Sequence, residues 1–538
     1  MDAGMICIIP EPASCTVTGG SATVKVDAAY YCDAAFDKVA AYLKVKIGEM
    51  AALWITRVTK KEDAIIQILR DEASKEGNPE RYTLVVSADR IVISATGEAG
   101  AFYGIQTLLQ LLLAPDKGRR AVGKAATIPC VTIEDEPRFR WRGFMLDEGR
   151  YFLGKEFVKK LLDVLARYKF NVFRWHLTED QGWRVAIQKY PNLVDVGSKR
   201  KGTSVHRNMP FLKIDNIPHE GYYTKDDLKE VIAFAAERFI TIVPEIEMPG
   251  HSMAALAAYP EYSCTGEPFE VPSTWGVKKD VYCVGKDKTV AFLKDVLDEV
   301  MEIFPSKTIH IGGDEVPKDR WKACPDCQAR MKALNLPSEH DLQVHFTNDI
   351  AHYVASKGRR IMGWNEILSD NLDPSAICQH WTGPVDPIVK ALEKGRDVVG
   401  SLSEFVYVDL RYDKVPMKKC YAYDPAYPGI SEAARAHVLG IETPLWGEVF
   451  QSDKQAFWYA FPRALAIAEA SWTPAGRKDY ARFVSKVRNH VPWLEAWGVT
   501  CAQERWWDAA PSPWRKFLMR LSRVFWLPSC YDTFPFTF

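Results

Sequence analysis

Between residues 138 and 472, eight short runs rich in β-branched and apolar residues alternate with stretches of helical periodicity. The runs lie at 141–146, 171–177, 240–246, 308–311, 360–364, 376–381, 397–402 and 438–446. Apolar residues spaced by three and four fill most of the gaps, as at 157–168, 226–238, 290–304 and 342–356. Strands that alternate with helices pair in parallel, and eight such units predict a closed (β/α)8 TIM barrel. Enzymes of that architecture build their sites at the C-terminal ends of the strands. Almost every run here ends in polar or aromatic residues: Asp147 to Arg150, His176 to Asp180, Glu247 to His251, Asp314 with Glu315, Trp364 to Glu366, Trp381, and Trp446 to Glu448. Segments 185–224 and 252–289 are expected as large loops over the same rim.

The flanks read differently. Residues 81–95 form two strand patterns around a Ser-Ala-Asp-Arg turn, and 98–113 run helically, so 1–135 is expected to be a small α+β domain. The barrel is placed at 136–475 and a helical extension at 476–538. In that extension 514–526 is amphipathic, with Trp514, Phe517, Leu518, Leu521 and Phe525 on one stripe and Arg515, Lys516, Arg520 and Arg523 among them. Packing on the barrel or on a second copy in a homodimer is the preferred reading. A peripheral helix on an anionic membrane surface is the alternative.

With 69 basic and 69 acidic residues the chain carries no net charge, and nothing in that balance suggests a nucleic-acid partner. The N-terminus lacks a basic and apolar secretory leader, and the apolar stretch 101–115 is too short to cross a bilayer. The chain therefore reads as soluble. Its compartment stays open between the cytoplasm and, where a leader has been removed, the periplasm or the outside. Twelve cysteines are scattered without a dense framework. Cys324 and Cys327 make a lone C-x-x-C, to which Cys264 and Cys283 offer either two more ligands or a pair of their own. Structural cysteines are the preferred reading, and no metal or cofactor is assigned.

The stretch 308–315, T-I-H-I-G-G-D-E, carries the chemistry. Two glycines let the backbone bend and approach a ligand closely, so that Asp314 and Glu315 can both address one pocket from a strand end. Three other segments accompany it in order: L-D-E-G-R-Y-F (146–152), W-H-L-T-E-D-Q-G-W-R (175–184) and P-E-I-E-M-P-G-H (244–251). Together they closely resemble the family 20 glycoside hydrolases, the β-N-acetylhexosaminidases. The resemblance continues through G-W-N-E-I-L (363–368), Tyr407 with Asp409, L-W-G-E (445–448) and the N-terminal A-G-A-F-Y-G-I-Q-T-L-L-Q-L-L (99–112). It ends at about residue 500.

The resemblance implies an exo-acting enzyme that removes terminal N-acetylglucosamine or N-acetylgalactosamine with retention. In this family the substrate's own 2-acetamido group attacks the anomeric carbon and closes an oxazolinium ion. It implies Glu315 as the acid/base and Asp314 as the carboxylate that orients the acetamide. Tyr407 would donate to the acetamido oxygen, and His251 with Glu179 would form a supporting dyad. Trp364, Trp381 and Trp446 would wall the pocket, and Arg150, Asp409 and Glu448 would bind ring hydroxyls. The partner is then an oligosaccharide or glycoconjugate substrate. Four positions depart from the usual pattern: Tyr151 and Arg174 stand where His is common, and Glu179 and Glu247 where Asp is common. Arg174 counts against a zinc hydrolase, which favours His-x-His at that strand. A disaccharide-releasing relative of the lacto-N-biosidase type and a catalytically inactive sugar-binding protein remain as alternatives. A sugar-binding protein, however, has no use for the acid.

Overall fold

The computed structural model of the chain describes residues 6–72, 77–113, 125–204 and 214–510. Its N-terminal part is a seven-stranded sheet of β1 (Ser14–Lys25), β2 (Ala29–Cys32), β3 (Thr56–Arg57), β4 (Ile66–Arg70), β5 (Tyr82–Val86), β6 (Ile91–Ala95) and β7 (Ala125–Asp135), in the order β1-β7-β5-β6-β4-β2-β3. The expected pair of strands is the antiparallel β5–β6 hairpin, with Val86 opposite Ile91. Two helices complete this part, α1 (Asp37–Ala51) and α2 (Glu98–Leu112). Almost all of α2 is buried, because it lies between the sheet and the barrel. Phe102 meets Phe239 with ring centroids 5.1 Å apart, and Tyr103 meets Trp472 at 5.0 Å. A fully buried ion pair, Lys169 Nζ to Asp135 Oδ2 at 2.9 Å, joins the two parts. Such a pair costs desolvation, and breaking it from one side leaves a buried charge.

The eight sequence runs are the eight strands of a closed parallel barrel: β8 (Trp141–Asp147), β9 (Val172–His176), β10 (Thr241–Glu245), β11 (Thr308–His310), β12 (Arg360–Trp364), β13 (Ile377–His380), β14 (Val398–Gly400) and β15 (Val438–Leu445). Most are shorter than the runs because their polar ends leave the sheet to build the rim. Helices α3 (Lys155–Arg167), α4 (Lys225–Ala236), α5 (Asp287–Ile303), α6 (Asp319–Ala323), α7 (Pro325–Ala333), α8 (Glu339–Ser356) and α9 (Asp386–Glu393) fill the intervals between the strands, and α10 (Arg463–Trp472) follows β15. All five residues of β9 are buried, as expected for a strand covered on both faces.

The barrel interior is not wholly apolar. Arg174 on β9 pairs through Nη1 with Glu245 on β10, and through Nε with Glu442 on β15 at 2.6 Å. Glu442 also accepts from Gln379 Nε2 at 2.8 Å and Trp141 Nε1 at 3.1 Å. Arg174 thus acquires a structural explanation in place of the usual His.

After the barrel, α11 (Tyr480–Ala496) returns to the N-terminal segment, where Lys486 Nζ bonds the Ile8 carbonyl at 2.8 Å and pairs with Glu11. The amphipathic helix expected at 514–526 lies outside the described residues. Among the described residues, no helix is long and apolar enough to cross a membrane.

Candidate active site

The site begins where β11 stops. Gly312 and Gly313 adopt φ of +67° and +88°, and the chain turns through them to present Asp314 and Glu315 on one side. A Cβ on Gly312 would lie 1.7 Å from Glu247 Oε2, and one on Gly313 2.4 Å from Ile367 Cγ2. Glycine is therefore required there by space as well as by torsion. Gln343 Nε2 holds the Gly313 carbonyl at 2.8 Å, and the Trp364 N–H holds that of Gly312 at 3.0 Å. Glu315 itself has φ +49° and His251 φ +46°, a left-handed backbone that non-glycine residues adopt rarely and at some cost.

His251 ties the carboxylates together. Its Nδ1 lies 2.7 Å from Glu179 Oε1 and 3.4 Å from Asp180 Oδ2, while Nε2 lies 3.6 Å from both Asp314 Oδ2 and Glu315 Oε2. Burial alone would lower the His251 pKa, but Glu179, Asp180 and Glu315 outweigh it and hold the imidazolium well above the ordinary histidine range. Asp314 is the deeper acid: its side chain is 11% exposed against 42% for Glu315. Burial, then the nearby Glu247, pushes the Asp314 pKa well up, with His251 opposing.

Aromatic side chains face this pair. Trp364, Trp381 and Trp446 lie together, with centroids 6.2 Å (Trp364–Trp381) and 5.8 Å (Trp364–Trp446) apart. Tyr407 stacks on Trp381 at 6.1 Å and 17°, and lies 6.1 Å from Trp446. Beneath them the Arg174 guanidinium sits 4.5 Å from the Trp364 ring, so the polar barrel interior supports the aromatic floor. Glu366 links the two halves. Its carboxylate accepts from Trp381 Nε1 at 2.8 Å, and burial followed by its neighbour Glu315 raises its pKa despite that bond.

Arg150 forms the third edge. Its guanidinium lies 3.1 Å from Asp147, 3.4 Å from Glu179 and 3.4 Å from Glu448, and 4.8 Å from the Trp446 ring. Asp409 is buried close enough to Tyr407 to raise its pKa, second only to burial itself. The structure therefore brings the residues singled out from the sequence around one rim.

The two Asp-to-Glu departures are intelligible here. The longer arm of Glu179 touches both His251 and Arg150, and that of Glu247 reaches His176 Nε2 at 3.1 Å. Tyr151 packs against His219 of the long 185–224 segment, with ring centroids 4.2 Å apart and tilted by 30°. Trp175 and Trp183 are buried packing residues, bonded to Glu148 and to the Val185 carbonyl.

Several contributors carried no role from the sequence. Asp147 fixes Arg150, accepts from the Gly447 N–H at 2.9 Å and meets His176 Nδ1 at 3.1 Å. Glu148 anchors the Leu153 and Gly154 amides, Trp175 and Tyr223. Glu366 and Glu247 complete the set. The one available signal was an acid inside or at the end of an otherwise apolar run.

With this geometry in view, the likeness to known proteins is decisive. Residues 139–475 match the glycosyl hydrolase family 20 catalytic domain, and residues 5–136 match domain 2 of the same family. The chain belongs to glycosyl hydrolase family 20. It is 41% identical over 429 residues to a beta-hexosaminidase of Porphyromonas gingivalis, an alignment covering 77% of this chain and 54% of that one. It thus spans about half the length of that relative. A beta-hexosaminidase of Akkermansia muciniphila is 34% identical over 449 residues, covering 81% of this chain and 88% of its own. Among solved structures, a family 20 exo beta-N-acetylglucosaminidase of Vibrio harveyi in complex with N-acetylglucosamine is similar at a TM-score of 0.82 and 29% identity, covering 93% of this chain and 78% of its own.

Proposed function

We propose that the chain is an exo-acting β-N-acetylhexosaminidase that hydrolyses terminal N-acetylglucosamine or N-acetylgalactosamine through its substrate's own acetamido group. One observation carries this reading: two adjacent carboxylates, one deep and one near the surface, share His251 Nε2 at 3.6 Å in front of a wall of three tryptophans and a tyrosine. A double-displacement glycosidase with an enzymic nucleophile places its two carboxyls on opposite sides of the scissile bond. Neighbours on one short turn suit a division of labour in which neither attacks carbon.

In the proposed reaction Glu315 protonates the leaving oxygen, and later takes a proton from the water that opens the oxazolinium ion. Its greater exposure suits contact with the leaving group. Asp314 accepts from the acetamido N–H, and the charge that develops on that nitrogen favours the anion despite burial. Tyr407 donates to the acetamido oxygen. Trp364, Trp381 and Trp446 stack on the sugar and exclude water, and Arg150, Asp409 and Glu448 take ring hydroxyls. His251, oriented by Glu179, sets the field at both acids. The three-part division at 135 and 475, and packing of the C-terminal extension on the barrel or on a second copy in a homodimer, belong to the same proposal. The relatives' printed names support the substrate class, because they are called beta-hexosaminidases.

The test is turnover of p-nitrophenyl N-acetyl-β-glucosaminide, its galacto epimer and the plain β-glucoside. Turnover of either acetamido sugar with an inert glucoside is expected, together with strong inhibition by the matching thiazoline, a mimic of the cyclic intermediate. Rapid hydrolysis of the glucoside would overturn the substrate-assisted mechanism.

A further inference from the structure

Four cysteines from two separate strand-end connections converge beside this site. Cys264 and Cys283 lie on the long segment after β10, the segment that follows His251. Cys324 and Cys327 lie on the connection after β11, the one that begins with Asp314 and Glu315; Cys324 precedes α7 and Cys327 is in its first turn. The sulfurs are 3.6 Å (Cys283–Cys324), 3.7 Å (Cys283–Cys327) and 4.0 Å (Cys264–Cys327) apart, and all four lie within 4.8 Å of one another. None is in a disulfide; Cys283, Cys324 and Cys327 are buried, and Cys264 is partly so.

That spacing has a physical meaning. A disulfide needs sulfurs about 2.05 Å apart. Four thiolates bound tetrahedrally to one zinc ion at about 2.3 Å stand about 3.8 Å from each other. The observed separations bracket the second value, and a cage of that size holds one ion and no polynuclear cluster. The donor set is all sulfur, which selects zinc over calcium or magnesium. The Cys324–Cys327 spacing is that of a zinc knuckle, with the second pair supplied from another loop.

We propose that Cys264, Cys283, Cys324 and Cys327 form a structural zinc site that fastens the loop following His251 to the loop following Glu315. The surroundings show what it would fasten. Trp321 Nε1 donates to the Tyr282 carbonyl at 3.0 Å, and Arg320 pairs with Asp280 at 2.7 Å, so the two connections already run side by side. A Cβ on Gly285 would meet the Cys327 amide nitrogen at 2.3 Å, which marks how closely the backbones approach. The Tyr282 N–H in turn bonds the Pro249 carbonyl at 3.0 Å, two residues before His251. The ion would therefore brace two strand-end loops, and it takes no part in the reaction. This departs from the reading of these cysteines as merely structural thiols.

The test is elemental analysis of the full chain purified without added metal, with the reduced, metal-stripped protein then titrated with Co(II). About one zinc per chain is expected, along with the thiolate-to-cobalt charge transfer and visible bands of a tetrahedral four-sulfur site. Cys324→Ser with Cys327→Ser should abolish both and lower the melting temperature. Should that double variant not fold, Cys264→Ser and Cys264→His at the outer corner still decide. The serine should lose zinc to a competing chelator and the histidine keep it, since three thiolates and an imidazole are also a stable zinc set. Wild-type protein with neither zinc nor a cobalt-thiolate spectrum would overturn the proposal. So would a disulfide-linked peptide joining any two of the four, or zinc binding unchanged in the double variant.

Discussion

Glu315 and Asp314 are adjacent, yet their surroundings separate them. Glu315 keeps 42% of its side chain exposed, whereas Asp314 is held deep beside His251 and Glu247. Glu315→Gln is therefore expected to cost about 10²- to 10⁴-fold in kcat on substrates with basic leaving groups. Aryl glycosides with good leaving groups should lose far less in the glycosylation step, because their oxygen departs without a proton. Equal losses on both, measured in the pre-steady state, would remove Glu315 as the acid. Asp314→Asn should instead weaken thiazoline inhibition, by about 10²-fold for a group that meets developing charge. An unchanged inhibition constant would count against its proposed contact with the acetamide.

At the scale of the element, the turn after β11 is what lets two neighbours share a pocket. Gly312→Ala would place a methyl against Glu247 in a left-handed backbone, and a displacement of even about 1 Å at the acids costs about 10²-fold in rate. Gly358 is the control. It too is left-handed, at φ +72°, but nothing lies within 4 Å of a Cβ there. Gly358→Ala should lower stability by about 1 kcal/mol and leave kcat intact. Similar kinetic losses in both variants would show that the contact with Glu247 is immaterial. The turn also marks what a sequence can reveal. Strand periodicity and the Gly-Gly-Asp-Glu order are local, so the eight strands and the acid pair were legible. Contacts such as Arg174 with Glu442, or Glu247 with His176, depend on register between strands 70 or more residues apart in the chain, and only the folded barrel brings them together. The four cysteines could be named from the sequence, but their convergence could not be read there: Cys264 and Cys283 are separated by 18 residues of loop, a spacing with no signature of its own.

At the scale of the whole molecule, the N-terminal segment, α10 and α11 are joined by buried charge, and that junction should give stability a pH signature. Glu469 on α10 accepts from the Glu11 N–H at 2.8 Å, beside the Lys486–Glu11 pair. Burial pushes its pKa up to about 7, against the partial opposition of Lys486. An unfolded glutamate ionises near its ordinary value of 4.5, while the folded one keeps its proton until about pH 7. The folded state therefore binds the extra proton between those limits, and this group's contribution is fully present below about 4.5 and lost as pH rises through 7. The loss amounts to about 3 kcal/mol. Glu247, also raised to about 7 by burial, adds a slope of the same sign from within the site. Glu469→Gln keeps an acceptor for the Glu11 amide and removes the titration. The melting temperature of the variant minus that of the wild type should then increase from pH 5 to about pH 7 and level off by pH 8, with kcat unchanged because α10 lies away from the acids. A difference that stays flat across that range would mean that Glu469 ionises at its ordinary pKa in the folded protein and that the junction takes no part in the pH dependence.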